Sequence, residues 1–418
     1  MSGSPEVAVR GVSKVSLDAL LGHYGAGSID AQARYDALAR FQELPVRVGV
    51  RGGRSWKHDL TKLDLSALVP FPMRSAAEVE LETLSPQARR AGVTIERFSV
   101  ARERHREQFR RAFGHAVDTR DDTFASLALA FQNHGAFVDV PAGVAVEEPL
   151  LVGYDARDEA LFPYTLVALG AGARATVIER LATAGEAPFV CGITEIVVGE
   201  RAHLAYAVDQ RCGDGARVIM TRRATLGADA SLEMALAELG GMHTVSRFRA
   251  TEPARGARSS VVALFFSSGE QHVDLETETV HAAGATTSET IVRSAGNGRG
   301  QGRYLGNIKI LADAHGAEAS LRDDALLLSP GAHIDSVPAL EIAANDVKAF
   351  HGATVGAISD DVLFYAESRG IARSDAERMI ALGFFEPAIS RFPTDDLRDE
   401  VRVVLAAKVA GVAVSSRP

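Results

Sequence analysis

His351 is the residue whose surroundings most directly suggest chemistry, within the segment NDVKAFHGATVGAISDDVLFYAESRG at 345–370. A histidine beside glycine has little bulk around its ring, so its imidazole is free to bind a metal ion or a partner. The competing interpretation is a structural histidine that is hydrogen-bonded in a turn, and the local residues alone favour it. The sequence motif by itself therefore leaves both roles open.

Other candidate metal ligands are sparse. His315 and His333 each lie beside a glycine or an alanine, but neither belongs to a local set with the spacing of a zinc site. Cys191 and Cys212 are the only cysteines, which excludes a disulfide scaffold and a four-cysteine zinc or iron–sulfur site formed by this chain alone. The chain also lacks a GxSxG elbow, an HExxH motif and a defensible acid–base pair. Any metal site must be completed by ligands from elsewhere.

Composition narrows the function classes. The chain has 418 residues and a formal net charge of -9, which argues against general nucleic-acid binding, because phosphate contacts need a basic surface. Its mean hydropathy is +0.03, and no apolar run has the length of a membrane span. The first residues do not resemble a signal peptide. These features predict a soluble, cytoplasmic protein without a membrane partner.

The residues around His351 predict a junction between a strand-rich body and a helical tail. Val347 and Phe350 end a strand-like run, and Gly352 and Gly356 predict turns after it. Ser359 resembles an N-cap followed by acidic residues, so we expect a first tail helix from 359 to 370.

Two further helices are predicted beyond it. S-D-A-E at 374–377 resembles a capping box and predicts a helix that ends before Gly383, and a third helix is predicted to begin near Thr394. Between them, FFEPAISRFP presents Phe384, Phe385 and Phe392, which would close a small core and dock a partner.

The body itself, 122–347, predicts a β-solenoid. Short alternating runs such as ATVIERL and AHLAYAV succeed one another, and glycines recur about every 28 residues. A repeated strand–turn unit buries its inward face by stacking on the next unit. A β-sandwich is the alternative, but it does not explain an even period. GNGRGQG at 296–302 resembles a dinucleotide loop, yet a strand follows it, so we interpret it as a loop between coils.

The amino-terminal part is predicted to be helical. An amphipathic helix is expected over 28–44 and a second helix with a basic face over 100–117. The resulting division is an N-terminal helical region at 1–121, a solenoid core at 122–350 and a C-terminal helical region at 351–418. We also expect the coils to remain folded without the tail, because they stack on one another.

Several strings resemble the SufB/SufD family of iron–sulfur cluster assembly proteins, and the SufD branch most closely. LLLSPGAHIDSVPALEI, NDVKAFHGATVGAISDDVLFYAESRGI and AERMIALGFFEPAI are similar to the family's carboxy-terminal signature and occur in its order. FASLALAFQNHGAFVDVPAGVAVEEPLLV is similar to the entry into the family's β-helix. SWKHDLTKLDLSAL resembles the amino-terminal tryptophan motif of the SufD branch.

The resemblance implies a right-handed parallel β-helix with helical ends, acting as a non-catalytic scaffold subunit of a SufBCD complex. Such a subunit pairs with SufB through the β-helices and binds the SufC ATPase through its C-terminal helices, here around Phe364, Tyr365, Phe384 and Phe385. His351 matches the family histidine implicated in forming a transient iron–sulfur cluster shared with SufB. A flavin is compatible with the resemblance, although no residue of this sequence is assigned to it.

One position departs from the family pattern. Many relatives read KCSHGAT where this chain reads KAFHGAT, so Ala349 occupies a common cysteine position. Thiolate ligands would then come from the partner subunit. Two other interpretations remain open: a homodimeric scaffold that works without a separate SufB, and a β-helix enzyme that acts on polysaccharides. The second would need a line of acids and bases along one face, and the sequence offers no spacing that selects one.

Overall fold

The computed structural model describes residues 10–24, 31–43, 64–66, 78–81, 84–120, 122–157, 160–185 and 188–411. Within these ranges the helices are α1 (Lys14–Tyr24), α2 (Ala31–Glu43), α3 (Pro86–Arg90), α4 (Phe98–Arg104), α5 (Arg106–Ala112), α6 (Thr123–Phe131), α7 (Asp360–Ser368), α8 (Arg373–Ile389) and α9 (Asp395–Val409). The early strands are β1 (Glu78–Leu81), β2 (Thr94–Arg97), β3 (His134–Val140), β4 (Leu150–Arg157), β5 (Ala160–Leu161), β6 (Pro163–Leu169), β7 (Arg174–Ala184), β8 (Phe189–Val198) and β9 (His203–Cys212). The later strands are β10 (Arg217–Leu226), β11 (Ser231–Glu238), β12 (His243–Glu252), β13 (Arg258–Ser267), β14 (His272–His281), β15 (Thr287–Gly296), β16 (Gln301–Ile310), β17 (Glu318–Leu327), β18 (His333–Ile342) and β19 (Lys348–Ala357).

The strands form a parallel β-solenoid. Sheet I has the order β1-β4-β7-β9-β11-β13-β15-β17-β19, and sheet II has the order β18-β16-β14-β12-β10-β8-β6-β3-β2. Successive strands from β6 onward alternate between the sheets, so each circuit of the chain adds one strand to each. Ser231 of β11, for example, pairs in parallel with His203 of β9, one circuit of about 28 residues earlier. The predicted solenoid is confirmed, and the sandwich alternative is wrong.

The glycine period arises at the corners of the solenoid. Gly172 and Gly256 adopt positive φ values of 68° and 74°, a conformation that glycine adopts without steric penalty. At Gly199 a different constraint applies, because a Cβ atom there would lie 2.7 Å from the carbonyl oxygen of Leu169 in the coil below. Glycine is thus favoured both by backbone conformation and by the close stacking of coils.

Alternation along each strand separates an inward row from an outward one. On β9, Leu204, Tyr206 and Val208 belong to the buried cluster inside the solenoid, whereas Ala207 packs outward against the tail. Burial of these apolar rows stabilises the fold by roughly 25 cal/mol per Å² removed from water. Helices α8 and α9 cover the outer face of sheet I, and the helices before β3 cover part of sheet II.

The amino-terminal region differs from the prediction in three ways. It contains two strands, β1 and β2, which pair antiparallel with β4 and β3 and close the amino-terminal edges of the sheets. The predicted basic helix is two helices, α4 and α5, interrupted at His105. Helix α6 precedes the first parallel strand, β3. This helix begins after Asp122, whose side chain caps it by accepting hydrogen bonds from the amides of Phe124 and Ala125. The predicted helix over 28–44 is confirmed as α2 in its described part.

The carboxy-terminal end of the solenoid is an open edge of both sheets. At the carboxy-terminal end, β18 and β19 are the last strands of sheets II and I, and neither has a further strand beside it among the described residues. A strand at a sheet edge presents a row of unpaired amide and carbonyl groups that can pair with another chain. We call this last circuit, residues 333–357, the terminal coil.

Candidate functional site

His351 lies within β19, in the middle of the terminal coil. The turns predicted at Gly352 and Gly356 are wrong, because the strand continues to Ala357 and pairs along its length with β17. His351 is opposite Leu321, which belongs to the inward row of sheet I. The imidazole therefore occupies an inward position, but it is exposed because no further coil lies above it. The structural alternative placed His351 in a turn, whereas it lies in a strand with its side chain exposed.

The terminal coil also exposes large apolar side chains. Phe350 is 65% exposed, and Ile342, Val355 and Val337 are 45%, 43% and 36% exposed. Phe350 and Val337 face outward from sheets I and II, whereas Ile342 and Val355 occupy inward positions at the open end. Exposed apolar side chains along an open sheet edge indicate an interaction surface. We call these four residues the edge patch.

Beneath the terminal coil, Asp323 of β17 lies inside the solenoid. Its relative exposure is 0%, and neither carboxylate oxygen has a hydrogen-bond partner. Burial raises the pKa of Asp323 to about 6. The Ser336 hydroxyl of β18 lies near it and partly offsets this effect, but the two groups do not complete a hydrogen bond of ordinary geometry. Asp323 was not among the residues predicted from sequence, although its inward position follows from the alternation in LRDDALLL.

The structure does not bring any cysteine to the terminal coil. Cys191 lies in β8 and Cys212 in β9, both are buried, and burial raises the pKa of both thiols. Across the described ranges, no group of three histidine, cysteine, aspartate or glutamate side chains is placed to bind a metal ion. His315 and His333 each pair with one aspartate, and His315 Nδ1 lies 2.8 Å from Asp346. His351 is thus a single candidate ligand, and a metal site that includes it needs further ligands.

The C-terminal helices differ from the sequence-based boundaries. Helix α8 begins after Ala372, without a side-chain cap, so the capping box at 374–377 does not form. The helix passes through Gly383 and contains Pro387. Phe385 is consequently on a helix and fully buried, and Phe384 packs edge-on against it. The third helix begins as predicted, with Thr394 as its N-cap.

Two of the four aromatic residues predicted to meet an ATPase are exposed. Phe364 and Tyr365 of α7 are 72% and 62% exposed, and Val362 of the same helix is 50% exposed. Phe385 instead faces Phe266 of β13, with ring centroids 6.3 Å apart. Phe385 therefore attaches the tail to the solenoid and cannot itself contact a partner.

Ion pairs add to this attachment. Glu400 of α9 accepts hydrogen bonds from Arg180 and Arg211 of sheet I, at 2.8 Å in each case. Lys408 is buried and donates to the carbonyl oxygen of Leu239 at 2.9 Å, and burial lowers its pKa to about 8. Removal of the whole tail would expose the apolar outer face of sheet I, so the packing does not support the expectation that the coils are independent of it.

The tryptophan motif falls largely outside the described residues, and so does Trp56. Across the described part of the chain, no helix combines the length and the hydropathy needed to cross a membrane.

Comparison with known proteins agrees with the fold. Residues 152–384 match the family model of the SUF system FeS cluster assembly SufBD core domain. A protein from Staphylococcus epidermidis (strain ATCC 12228), described as an iron–sulfur cluster assembly SufBD family protein, is 26% identical over 323 residues, which cover 76% of this chain and 70% of that protein. A Staphylococcus aureus (strain MRSA252) protein of the same description is 25% identical over the same length and shares. The matched region contains most of the solenoid, the terminal coil with His351, and α7, so this chain belongs to the SufBD family of iron–sulfur cluster assembly proteins.

Proposed function

We propose that this chain is a SufD-like, non-catalytic scaffold subunit that pairs with SufB, binds the SufC ATPase and shares a transient iron–sulfur cluster with SufB. The observation that supports this most directly is the open terminal coil, where an exposed imidazole on an inward position lies beside unpaired sheet edges. We place the complex in the cytoplasm, since free cysteines such as Cys191 and Cys212 are usual in reducing compartments.

Pairing with SufB would use the terminal coil. Both sheets end there with open strands, and a partner strand added to each would satisfy their amide and carbonyl groups. The edge patch would be removed from water at the same time, which contributes roughly 25 cal/mol per Å² of apolar surface. An interface with both contributions joins the two solenoids end to end and encloses His351.

The cluster would form at this junction. An imidazole nitrogen binds iron well, and thiolates are the usual ligands of iron–sulfur clusters. This chain offers His351 there without a neighbouring thiol, because Ala349 occupies the common cysteine position and both cysteines lie buried in β8 and β9. We therefore assign the thiolate ligands to SufB and one imidazole ligand to this chain.

A test of pairing introduces charge at the open edges. We expect Phe350→Lys combined with Val337→Lys to reduce co-purification with SufB at least tenfold, because edge lysines are a common device against strand addition. Both positions are exposed, so the monomer should keep its circular dichroism spectrum and melting temperature. Co-expression with tagged SufB and SufC, followed by iron and sulfide analysis, measures the effect.

Val15→Lys is the matched control, because Val15 is a 78% exposed apolar residue on α1, far along the chain from the terminal coil. Undiminished recovery of SufB with the double variant would contradict pairing through this coil. If the isolated chain forms a dimer that the two lysines break, the scaffold is a homodimer instead.

ATPase binding is expected at α7. Phe364 and Tyr365 of α7 and Met379 of α8 are all exposed, and α7 packs against α8. We expect Phe364→Ser with Tyr365→Ser to weaken SufC binding at least tenfold in a pull-down, since aromatic anchors carry much of an interface's binding energy. The solenoid should remain folded because neither side chain is buried.

Val403→Ser serves as the control for this surface, since Val403 is a 70% exposed apolar residue on α9. Equal loss of SufC binding in the control and in the α7 variant would assign the contact to another part of the tail.

A further inference from the structure

Two inward rows of sheet I contain polar residues near the carboxy-terminal end of the solenoid. One row runs through the apolar residues Val208, Leu236, Ala263 and Val292, and its next member is Asp323, followed by Ala353 of β19. The adjacent row ends with Leu321 and then His351. An acid and an imidazole thus occupy neighbouring inward rows near the open end. Other polar members of these rows include Glu179, directly below Val208, and Thr290, directly below Leu321.

Asp323 differs from other buried acids of the solenoid. Glu238 pairs with Arg222 at 2.9 Å, Glu252 lies 2.9 Å from His281, and Asp274 receives Arg303 at 2.6 Å. Asp323 is equally buried, yet both of its oxygens lack a hydrogen-bond partner. An isolated buried carboxylate is expensive, and an unsatisfied buried group in a native protein points to a functional role or to a bound ion.

The register brings Asp323 close to His351. His351 pairs with Leu321, and Asp323 is two residues further along the same strand, so the two positions are diagonal neighbours on one face. Diagonal neighbours in a sheet have Cα atoms about 7–8 Å apart, within reach of a shared ion for long side chains. The two side chains are not hydrogen-bonded to each other, so both carboxylate oxygens of Asp323 remain available to an ion.

We propose that Asp323 and His351 together bind a divalent cation, ferrous iron in the cell, on the inner face of the terminal coil. This inference rests on the proposed function and deepens it, because it assigns to this chain an acidic ligand that receives iron before the cluster is complete. Imidazole and carboxylate are both good ligands for ferrous iron. The Ser336 hydroxyl, also without a hydrogen-bond partner, faces the same space from β18.

The path from the open edge to the proposed cation site is short. Asp323 lies one coil below the end of the solenoid, and the residue above it in its row is the exposed Ala353. The small side chain of Ala353 over the carboxylate leaves a route for an ion from the open edge, and a SufB coil placed on that edge would close it.

The test measures cation binding to the full chain without partners. Mn²⁺ is titrated and followed by electron paramagnetic resonance, and Fe²⁺ binding is measured anaerobically by equilibrium dialysis. We expect about one bound ion per chain, and we expect Asp323→Asn and His351→Ala each to weaken binding at least tenfold. Because the two residues act on one ion, the double variant should lose less than the product of the single losses.

Asp335→Asn is the matched control, because Asp335 lies outward on β18 and pairs with His333 at 3.0 Å. It should change the affinity less than twofold. Unaltered Mn²⁺ affinity in Asp323→Asn, equal loss in Asp335→Asn, or absence of binding to the wild-type chain would each overturn the proposal. Circular dichroism shows whether Asp323→Asn folds, and we expect an unchanged or higher melting temperature because an unpaired buried charge is removed.

A separate measurement keeps the two proposals distinguishable. Cluster assembly in the complex with SufB and SufC tests the proposed function, whereas Mn²⁺ affinity of the isolated chain tests the cation site. If His351→Ala assembles clusters normally while Asp323→Asn still loses Mn²⁺, the scaffold role of His351 fails and the cation site is supported. If cluster assembly depends on His351 but Mn²⁺ affinity does not change in Asp323→Asn, the scaffold role of His351 is supported and the cation site fails.

Discussion

His351→Ala should leave a folded protein that still pairs with SufB but assembles at most a tenth of the normal amount of iron–sulfur cluster. His351 is exposed on the last strand, so its removal opens no cavity and should change the free energy of unfolding by no more than about 0.5 kcal/mol. Alanine has no nitrogen to bind iron or to accept a proton from a partner thiol. The measurements are thermal melting, co-purification with SufB and SufC, and iron and sulfide content after reconstitution.

Two other exposed histidines provide controls for this prediction. His315 and His333 have side chains that are 68% and 60% exposed, and each pairs with one aspartate. Their alanine variants should assemble clusters at the normal rate, because neither lies on the inward row of the terminal coil. Normal assembly by His351→Ala would remove this residue from the site, and equal losses in all three variants would show a general effect of surface histidines.

The solenoid was predictable because its signals are local and repeated. Alternation fixes which residues of each strand face inward, and the corner glycines mark each circuit, as at Gly172 and Gly256. These constraints recur in every coil, so an error at one position does not change the fold. The chain order of strands and tail helices followed from the same signals.

The junction around His351 was not predictable in the same way. Gly352 and Gly356 favour turns in isolation, but β17 offers a complete ladder of hydrogen-bond partners that holds this segment as a strand. The tail shows a similar override, since α8 continues through Gly383 where its neighbours pack on sheet I. Tertiary contacts decided both cases, and these contacts are distant in sequence.

Burial of the candidate residues was also beyond local patterns. Phe384 and Phe385 are adjacent and chemically identical, yet only the second is fully buried, because the helix directs it toward Phe266. Phe364 and Tyr365 lie on α7, which packs less on the solenoid and stays exposed. A sequence can nominate an aromatic cluster, but the docking of helices on the sheet determines which members remain for a partner.

Charged side chains inside the solenoid were the least predictable from local sequence patterns. A polar residue within an alternating run is normally assigned to the outer face, yet Glu179, Arg222 and Glu238 occupy inward positions and are at most 1% exposed. Arg222 donates to Glu238 at 2.9 Å and to Ser246 at 2.8 Å, and its other terminal nitrogen lies 3.7 Å from Glu179. Each charge is tolerated inside because the others are present.

Arg222→Met should therefore be the most destabilising substitution considered for the solenoid. Methionine has a similar length and fills the space, but it leaves two carboxylates in the interior without a cation. Breaking a buried ion pair by removal of one partner costs about 3–5 kcal/mol. We expect the urea midpoint to fall accordingly, with cluster assembly reduced only in proportion to the fraction unfolded.

Arg217→Met is the control, because Arg217 is exposed on the same strand, β10, and should change the free energy of unfolding by about 0.5 kcal/mol or less. A triple variant with Arg222→Met, Glu179→Gln and Glu238→Gln removes all three charges and should recover much of the lost stability. Replacement of a whole buried ionic group by uncharged residues often leaves the free energy of unfolding nearly unchanged. If the triple variant is less stable than Arg222→Met alone, the loss comes from packing and hydrogen bonds rather than from unpaired charge.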